Sequence, residues 1–203
     1  MKKLMLVVLG LLVLVPGLAF AQGTYYVDYF ANNGGPAGLY DQIIRIVNVG
    51  TLGTPLTAPV CPATGCICAN IYVFTADQEM VACCAEALTP NELDSAYIGR
   101  QLTFNTLTTA IPPSGVVKVV LTPEPTGGCN PTAPLTGADA TLGAMWGTHL
   151  QVTGGVLFVT ETEKQTHTLS AAEAGFLPQA CSFDLYLGSG RGTCTSIVSS
   201  GQN

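Results

Sequence analysis

Short runs in which apolar and polar residues alternate, separated by clusters of Thr, Pro, Gly and Asn, dominate this chain. A period of two turns one face of an extended segment toward a core and the other away from it. Residues 25–30 (YYVDYF) read as an aromatic-rich strand, and residues 43–47 (IIRIV) as a second, stopped by Asn48 and Gly50. Residues 71–74 (IYVF) and 79–84 flank the polar turn Thr75, Ala76, Asp77 and Gln78, the strongest hairpin signal present. With Phe74 opposite Glu79, Ile71 and Val73 share a face with Met80, Ala82 and Cys84. Further strands are expected at 101–107, 115–121 (GVVKVVL), 142–152, 156–161, 183–187 and 193–198. The 142–152 pattern places Ala144, Trp146, Thr148, Leu150 and Val152 on one side, which predicts a core position for Trp146.

Helical signals are few. Thr89, Pro90 and Glu92 combine a capping side chain, proline at the first helical position and glutamate three places after the cap, predicting one helical turn that fades by Gly99. Ser170 and Glu173 form a second capping box, opening a short helix to about Leu177 that Pro178 ends. Residues 122–141, rich in Thr, Pro, Gly and Ala, read as a long loop tied down at Cys129. About nine strands with two short helices, and no strand–helix alternation, predict an all-β fold: an antiparallel, Ig-like β-sandwich stapled by disulfides.

The first 21 residues stand apart from this pattern. Lys2 and Lys3 precede an apolar run over 4–15, Pro16 and Gly17 break it, and Ala19 and Ala21 form a small-x-small end. That is the layout of a cleaved secretory signal peptide over residues 1–21 and is short for a membrane span. Residues 22–203 are then a single secreted domain with no membrane span of its own. Without the signal lysines the balance is five basic against thirteen acidic residues, a net −8. Binding to nucleic acid through released counterions needs clustered Lys and Arg, and Arg45, Arg100, Lys118, Lys164 and Arg191 are scattered. Charged residues make up 10% of the chain, against about 25% in an average domain, which fits an extracytoplasmic β-protein.

Eight cysteines follow the leader: Cys61, Cys66, Cys68, Cys83, Cys84, Cys129, Cys181 and Cys194. An even count in an exported chain reads as a disulfide framework. The spacings C-x4-C, C-x-C and C-C lack the repeated C-x2-C of a zinc site, and no C-x-x-C redox pair or haem attachment occurs. All eight are therefore expected in disulfides. Cys83 and Cys84 point to opposite faces of a strand and should bond to different partners. The hairpin register brings Cys68 within one residue of Cys84, which predicts Cys68–Cys84 or, failing that, Cys68–Cys83.

Candidate chemistry is sparse, and no catalytic, cofactor-binding or metal site is expected. GSGRG at 188–192 is neither a nucleophile elbow nor a phosphate loop. His149, on the side of its strand away from Trp146, and His167, in a Thr/Gln stretch, read as surface histidines. Glu161 and Glu163 share a strand face; two carboxylates about 5–9.5 Å apart can hydrolyse a glycoside, but nothing else assembles around this pair. No loop has the spacing of a calcium motif. Lys118, set amid valines, is expected to face outward and guard an exposed strand. Tyr25, Tyr26, Tyr29 and Phe30 are the aromatics that a carbohydrate-binding surface would use.

The runs IIRIVNVGT (43–51), CANIYVFTADQEMVACC (68–84) and TETEKQTHTLSAAEAGF (160–176) resemble a group of exported, cysteine-rich bacterial β-sandwich proteins of unknown function. The resemblance implies secretion and a β-rich fold, and carries no catalytic residues across. The functional expectation is a non-enzymatic secreted protein with a structural or adhesive role at the cell surface. Its partner would be itself or a cell-surface polysaccharide. The alternatives are a carbohydrate-binding module and a secreted hydrolase using Glu161 and Glu163.

Overall fold

The computed structural model describes residues 23–31, 41–55, 60–104 and 111–187. The leader at 1–21, the 188–192 turn, the 193–198 segment, Arg191, Cys194 and residues 105–107 of the strand expected at 101–107 lie outside the described residues. Among the described residues nine antiparallel strands form two sheets: β1 (Gly23–Phe30), β2 (Ile43–Asn48), β3 (Ile67–Thr75), β4 (Met80–Leu88), β5 (Leu93–Tyr97), β6 (Gly115–Pro123), β7 (Gly143–Thr153), β8 (Val156–Glu163) and β9 (Thr166–Leu169), followed by helix α1 (Ala171–Leu187). The five-stranded sheet runs β4-β3-β6-β1-β9 and the four-stranded sheet β5-β2-β7-β8. Among the described residues no helix is long and apolar enough to cross a membrane, which says nothing of strands.

The sheets face each other across a core to which both contribute. Tyr26 and Phe30, Ile71 and Val73, Val117, Val119 and Leu121 come from the larger sheet, and Ile44, Ile46 and Met145 from the smaller. A second cluster lies on the outer face of the larger sheet, where Tyr72, Phe74, Cys83 and Val120 meet Ala174, Leu177 and Cys181 of α1. This sheet is therefore covered on both faces, which explains why β3 is buried at eight of its nine positions and carries an almost continuous apolar run.

The structure corrects several expectations. The β3–β4 register pairs Phe74 with Met80 and, after a bulge, Val73 with Ala82, Ile71 with Cys84 and Cys68 with Ala87. Cys68 is thus three residues from facing Cys84. The bulge also turns Met80 to the outer cluster while Ala82 and Cys84 remain inside. Instead of bonding to Cys84 or Cys83, Cys68 pairs with Cys129 (Cα–Cα 5.5 Å), Cys83 with Cys181 (5.7 Å) and Cys61 with Cys66 (6.1 Å). Cys84 is disulfide-bonded as well. The vicinal cysteines do take different partners, because Cys83 faces the helix and Cys84 the inter-sheet core. Bridges of this number are consistent with an oxidising, extracytoplasmic environment.

The first capping box makes only the glutamate half of its hydrogen bonds and no helix, and Glu92 N donates to Thr89 O at 3.0 Å in a turn. The Glu92 carboxylate accepts from Thr89 N and Oγ1, each at 2.7 Å. Asn91 sits at φ 67°, so Pro90 and Asn91 follow a type II turn pattern that throws the chain into β5. A single π-turn, Ile98–Leu102, occupies part of the segment expected as a strand at 101–107. The second box does cap a helix, with Glu173 N donating to Ser170 Oγ at 3.1 Å. That helix runs to Leu187, through Pro178 and through residues 183–187, expected as a strand. Burial of Ala174, Leu177 and Cys181 and the Cys83 bridge hold it past the proline, which alone would cost about 3 kcal/mol.

Trp146 is also corrected. Its strand face is the outer one, half-buried beside Arg45, while Met145 and the neighbouring glycines Gly143 and Gly147 face the core. Lys118 points outward but guards no edge, because β6 lies in the middle of its sheet. It pairs with Glu173 in the first turn of α1 and lies 5.0 Å over the Phe74 ring.

Replacing Cys83 and Cys181 together with Ala is expected to lower unfolding stability by about 2–4 kcal/mol, because the bridge closes a long loop. Urea denaturation of the double variant checks this. Non-reducing peptide mapping should recover the 61–66, 68–129 and 83–181 pairs.

Candidate functional site

On β1, Tyr26, Asp28 and Phe30 share the face turned to the inter-sheet core, so one carboxylate projects among aromatics. An ion buried alone is expensive, and it must find a counter-charge. Asp28 finds it across the gap. Its Oδ1 lies 2.9 Å from Lys164 Nζ and accepts from Tyr29 N at 2.8 Å. Lys164 occupies the two-residue corner where the chain passes from β8 to β9, changing sheets, and its backbone N–H donates to Met145 O at 2.8 Å. Its ammonium also reaches His149 Nε2 at 2.5 Å and Thr162 Oγ1 at 2.9 Å. Three acceptors match its three protons.

Burial, together with the Lys164 charge, pulls the His149 pKa below its ordinary value, although Asp28 pushes the other way. The imidazole is therefore neutral at pH 7, accepts the lysine proton on Nε2 and carries its own proton on Nδ1. Room for the cluster comes from Gly147: a Cβ there would lie 1.8 Å from Asp28 Oδ2 and 2.7 Å from Lys164 Cε.

The cluster fixes the floor of an open cleft. His149 packs against the Tyr29 ring at 4.6 Å between centroids. Tyr29, Gln42, His149, Gln151, Phe158 and Thr160 line a cavity of about 400 Å³. Tyr29 is 61% exposed and Phe158 51%, on strands of different sheets. Of the four aromatics at 25–30, Tyr26 and Phe30 are core residues and Tyr25 is half-buried against β9, so only Tyr29 reaches the cleft.

The other expected candidates do not assemble here. His149 is no surface histidine, whereas His167 is exposed, at the edge of the Tyr25 ring. Glu161 and Glu163 share the outer face of β8, opposite Thr148 and Trp146, and Glu161 pairs with Arg45 at 2.5 Å. Cys61, Cys66 and Glu124 lie close enough together for a metal ion, but both sulfurs are consumed in their disulfide. Asp28 was legible as a charged residue on the apolar face of a period-two strand, a position that demands a hidden cation.

A second group of acids sits at the opposite end of the sheets. Glu86 of β4 lies on the same strand face as core residues Cys84 and Leu88, and Asp94 of β5 is 4% exposed. The two strands are the stacked edges of the two sheets, joined by the 89–92 turn. No described cation pairs with either acid. Burial first, then the charges of Asp94 and Glu92, raises Glu86 to about 7. Burial, with Glu92 adding and the Ser95 hydrogen bond opposing, raises Asp94 to about 6.

Lys164→Met is expected to cost about 3 kcal/mol by stranding the Asp28 charge, and Gly147→Ala a similar amount by displacing it; chemical denaturation reads both. The raised acids mean that the folded state binds more protons than the unfolded chain between about pH 4 and 7, so their contribution falls as pH rises through that window. The urea midpoint should therefore drop from pH 5 to pH 8, and a Glu86→Gln/Asp94→Asn variant should flatten the profile.

Compared with known protein families, with curated proteins and with solved structures, the chain matches none.

Proposed function

We propose that this protein is exported and non-enzymatic, and that it serves adhesion by holding a neutral saccharide of a cell-surface polysaccharide in the Tyr29–Phe158 cleft. The observation that carries the reading is the pairing of two exposed aromatic side chains across a cavity of about 400 Å³. That is the size of a small-ligand site. Aromatic faces bury the C–H face of a pyranose, while Gln151, Thr160 and the Tyr29 hydroxyl can exchange hydrogen bonds with sugar hydroxyls.

None of the residues lining the cleft is acidic, whereas most glycoside hydrolases act with two carboxyl groups. Binding is therefore favoured over hydrolysis by Glu161 and Glu163. The leader-like residues 1–21 and the disulfides support export, and two facing antiparallel sheets with repeated crossings between them support an Ig-like sandwich. The likeness of three runs to exported bacterial proteins belongs to the same reading.

Calorimetry and a panel of neutral polysaccharides test it. Tyr29→Ala and Phe158→Ala are each expected to weaken binding about 10-fold, the scale of one lost aromatic contact. A native protein that binds no member of the panel, or two variants that bind as well as it does, overturns the proposal.

A further inference from the structure

Sheet edges invite other strands unless they are short, covered or charged. Of the four sheet edges among the described residues, β5 and β9 have five and four residues, and β4 is largely buried and bears α1 through the Cys83–Cys181 bridge. The edge strand β8 differs. It has eight residues, seven of them exposed and one half-buried, and Val156, Phe158 and Val159 are all more than half exposed. Residues 154–160 (GGVLFVT) hold no charge and no proline. The edge therefore lacks the usual devices against pairing.

The hairpin geometry shows which backbone groups are free. Gly154 and Gly155, at φ 60° and 79°, make a two-residue turn that pairs Thr153 with Val156. In such a hairpin the closing pair is hydrogen-bonded, so Val156, Phe158, Thr160 and Thr162 direct their N–H and C=O at β7. Leu157 and Val159 present theirs to the open edge. The Lys164 N–H donating to Met145 O agrees with this parity.

We propose that β8 is an assembly edge, pairing antiparallel with β8 of a second copy about a twofold axis at Leu157. Charge selects this occupant and this register. Centred on Leu157, the pairing sets Val156 against Phe158 and Gly155 against Val159 of the other copy, and keeps Glu161 and Glu163 of each copy at opposite ends, outside the paired segment. Centring on Val159 would bring Glu161 against Leu157, and parallel pairing in register would stack glutamate on glutamate. An antiparallel partner with an uncharged run and its acidic end turned away satisfies the pattern, and a second copy of this chain supplies it. The pairing joins two four-stranded sheets into one of eight strands.

The test is the oligomeric state of the mature protein from 1 µM to 1 mM by sedimentation velocity. A concentration-dependent dimer is expected. Val159→Pro deletes an N–H that faces the open edge and leaves the β7 ladder intact, so it should be monomeric with an unchanged melting temperature. Val159→Lys, which keeps the backbone and charges the edge, should weaken the dimer at least 10-fold. A native protein that stays monomeric throughout, as expected if the edge takes a strand of a different protein, overturns the proposal. So does a dimer that persists in both variants. Polysaccharide binding by Tyr29→Ala is read separately, so failure of the dimer and failure of the cleft are distinguishable.

Discussion

The bridge between Cys83 and Cys181 fastens α1 to the outer face of the five-stranded sheet, and much of the architecture depends on that covered face. A sheet with one face in water reads as alternating apolar and polar positions, whereas a sheet buried on both sides reads as continuous apolar runs. β3 and β6 follow the second rule, with Tyr72 and Val120 as deeply buried on the helix side as Ile71 and Val119 are on the core side. Lys118 belongs to that interface: its pairing with Glu173 seats the first turn of the helix. The loop at 124–139 closes over the same face, held by the Cys68–Cys129 bridge and by Tyr72 donating to Pro131 O.

Cations are the scarce resource of this chain. Of its five basic residues beyond the leader, Arg45, Arg100, Lys118 and Lys164 each hold an acid, Glu161, Asp41, Glu173 and Asp28 respectively; Arg191 lies outside the described residues. No described counter-charge is left for Glu86 and Asp94. They stay protonated well above the ordinary carboxylate range, which is the less costly solution for an acid facing a core. Lys164 is spent where a free charge would cost most, at the deeply buried Asp28.

That choice also shapes the cleft. Tyr29 and Phe158 belong to different sheets, so the cleft exists only while the sheets are held in one relation at this end. Asp28 on one sheet and Lys164 at the corner of the other hold it, with His149 locked between them under Tyr29. Gly147 leaves the space the carboxylate needs. A stability feature and the proposed saccharide cleft thus share the same few atoms.

From local pattern alone, the strands of the hairpin, the oxidised cysteines, the opposite facing of Cys83 and Cys84 and the capping of a helix at Ser170 were legible, because each depends on neighbours a few residues apart. Register, partners and extents were not. Closure of the hairpin on Phe74–Met80 instead of Phe74–Glu79 and the bulge at Val73/Phe74 each moved Cys68 one residue further from Cys84, and no local rule predicts either. Asn91 adopts a left-handed conformation that converts a capping box into a turn. Phe183, Leu185 and Leu187 alternate as a strand would, yet a bridge to a strand 98 residues earlier keeps that segment in the helix. The cleft, the buried ion cluster and the open edge of β8 all arise where distant segments meet. Which distant segments meet is settled by the packing of two sheets and a helix together, a sum over long-range contacts that no single stretch of sequence contains.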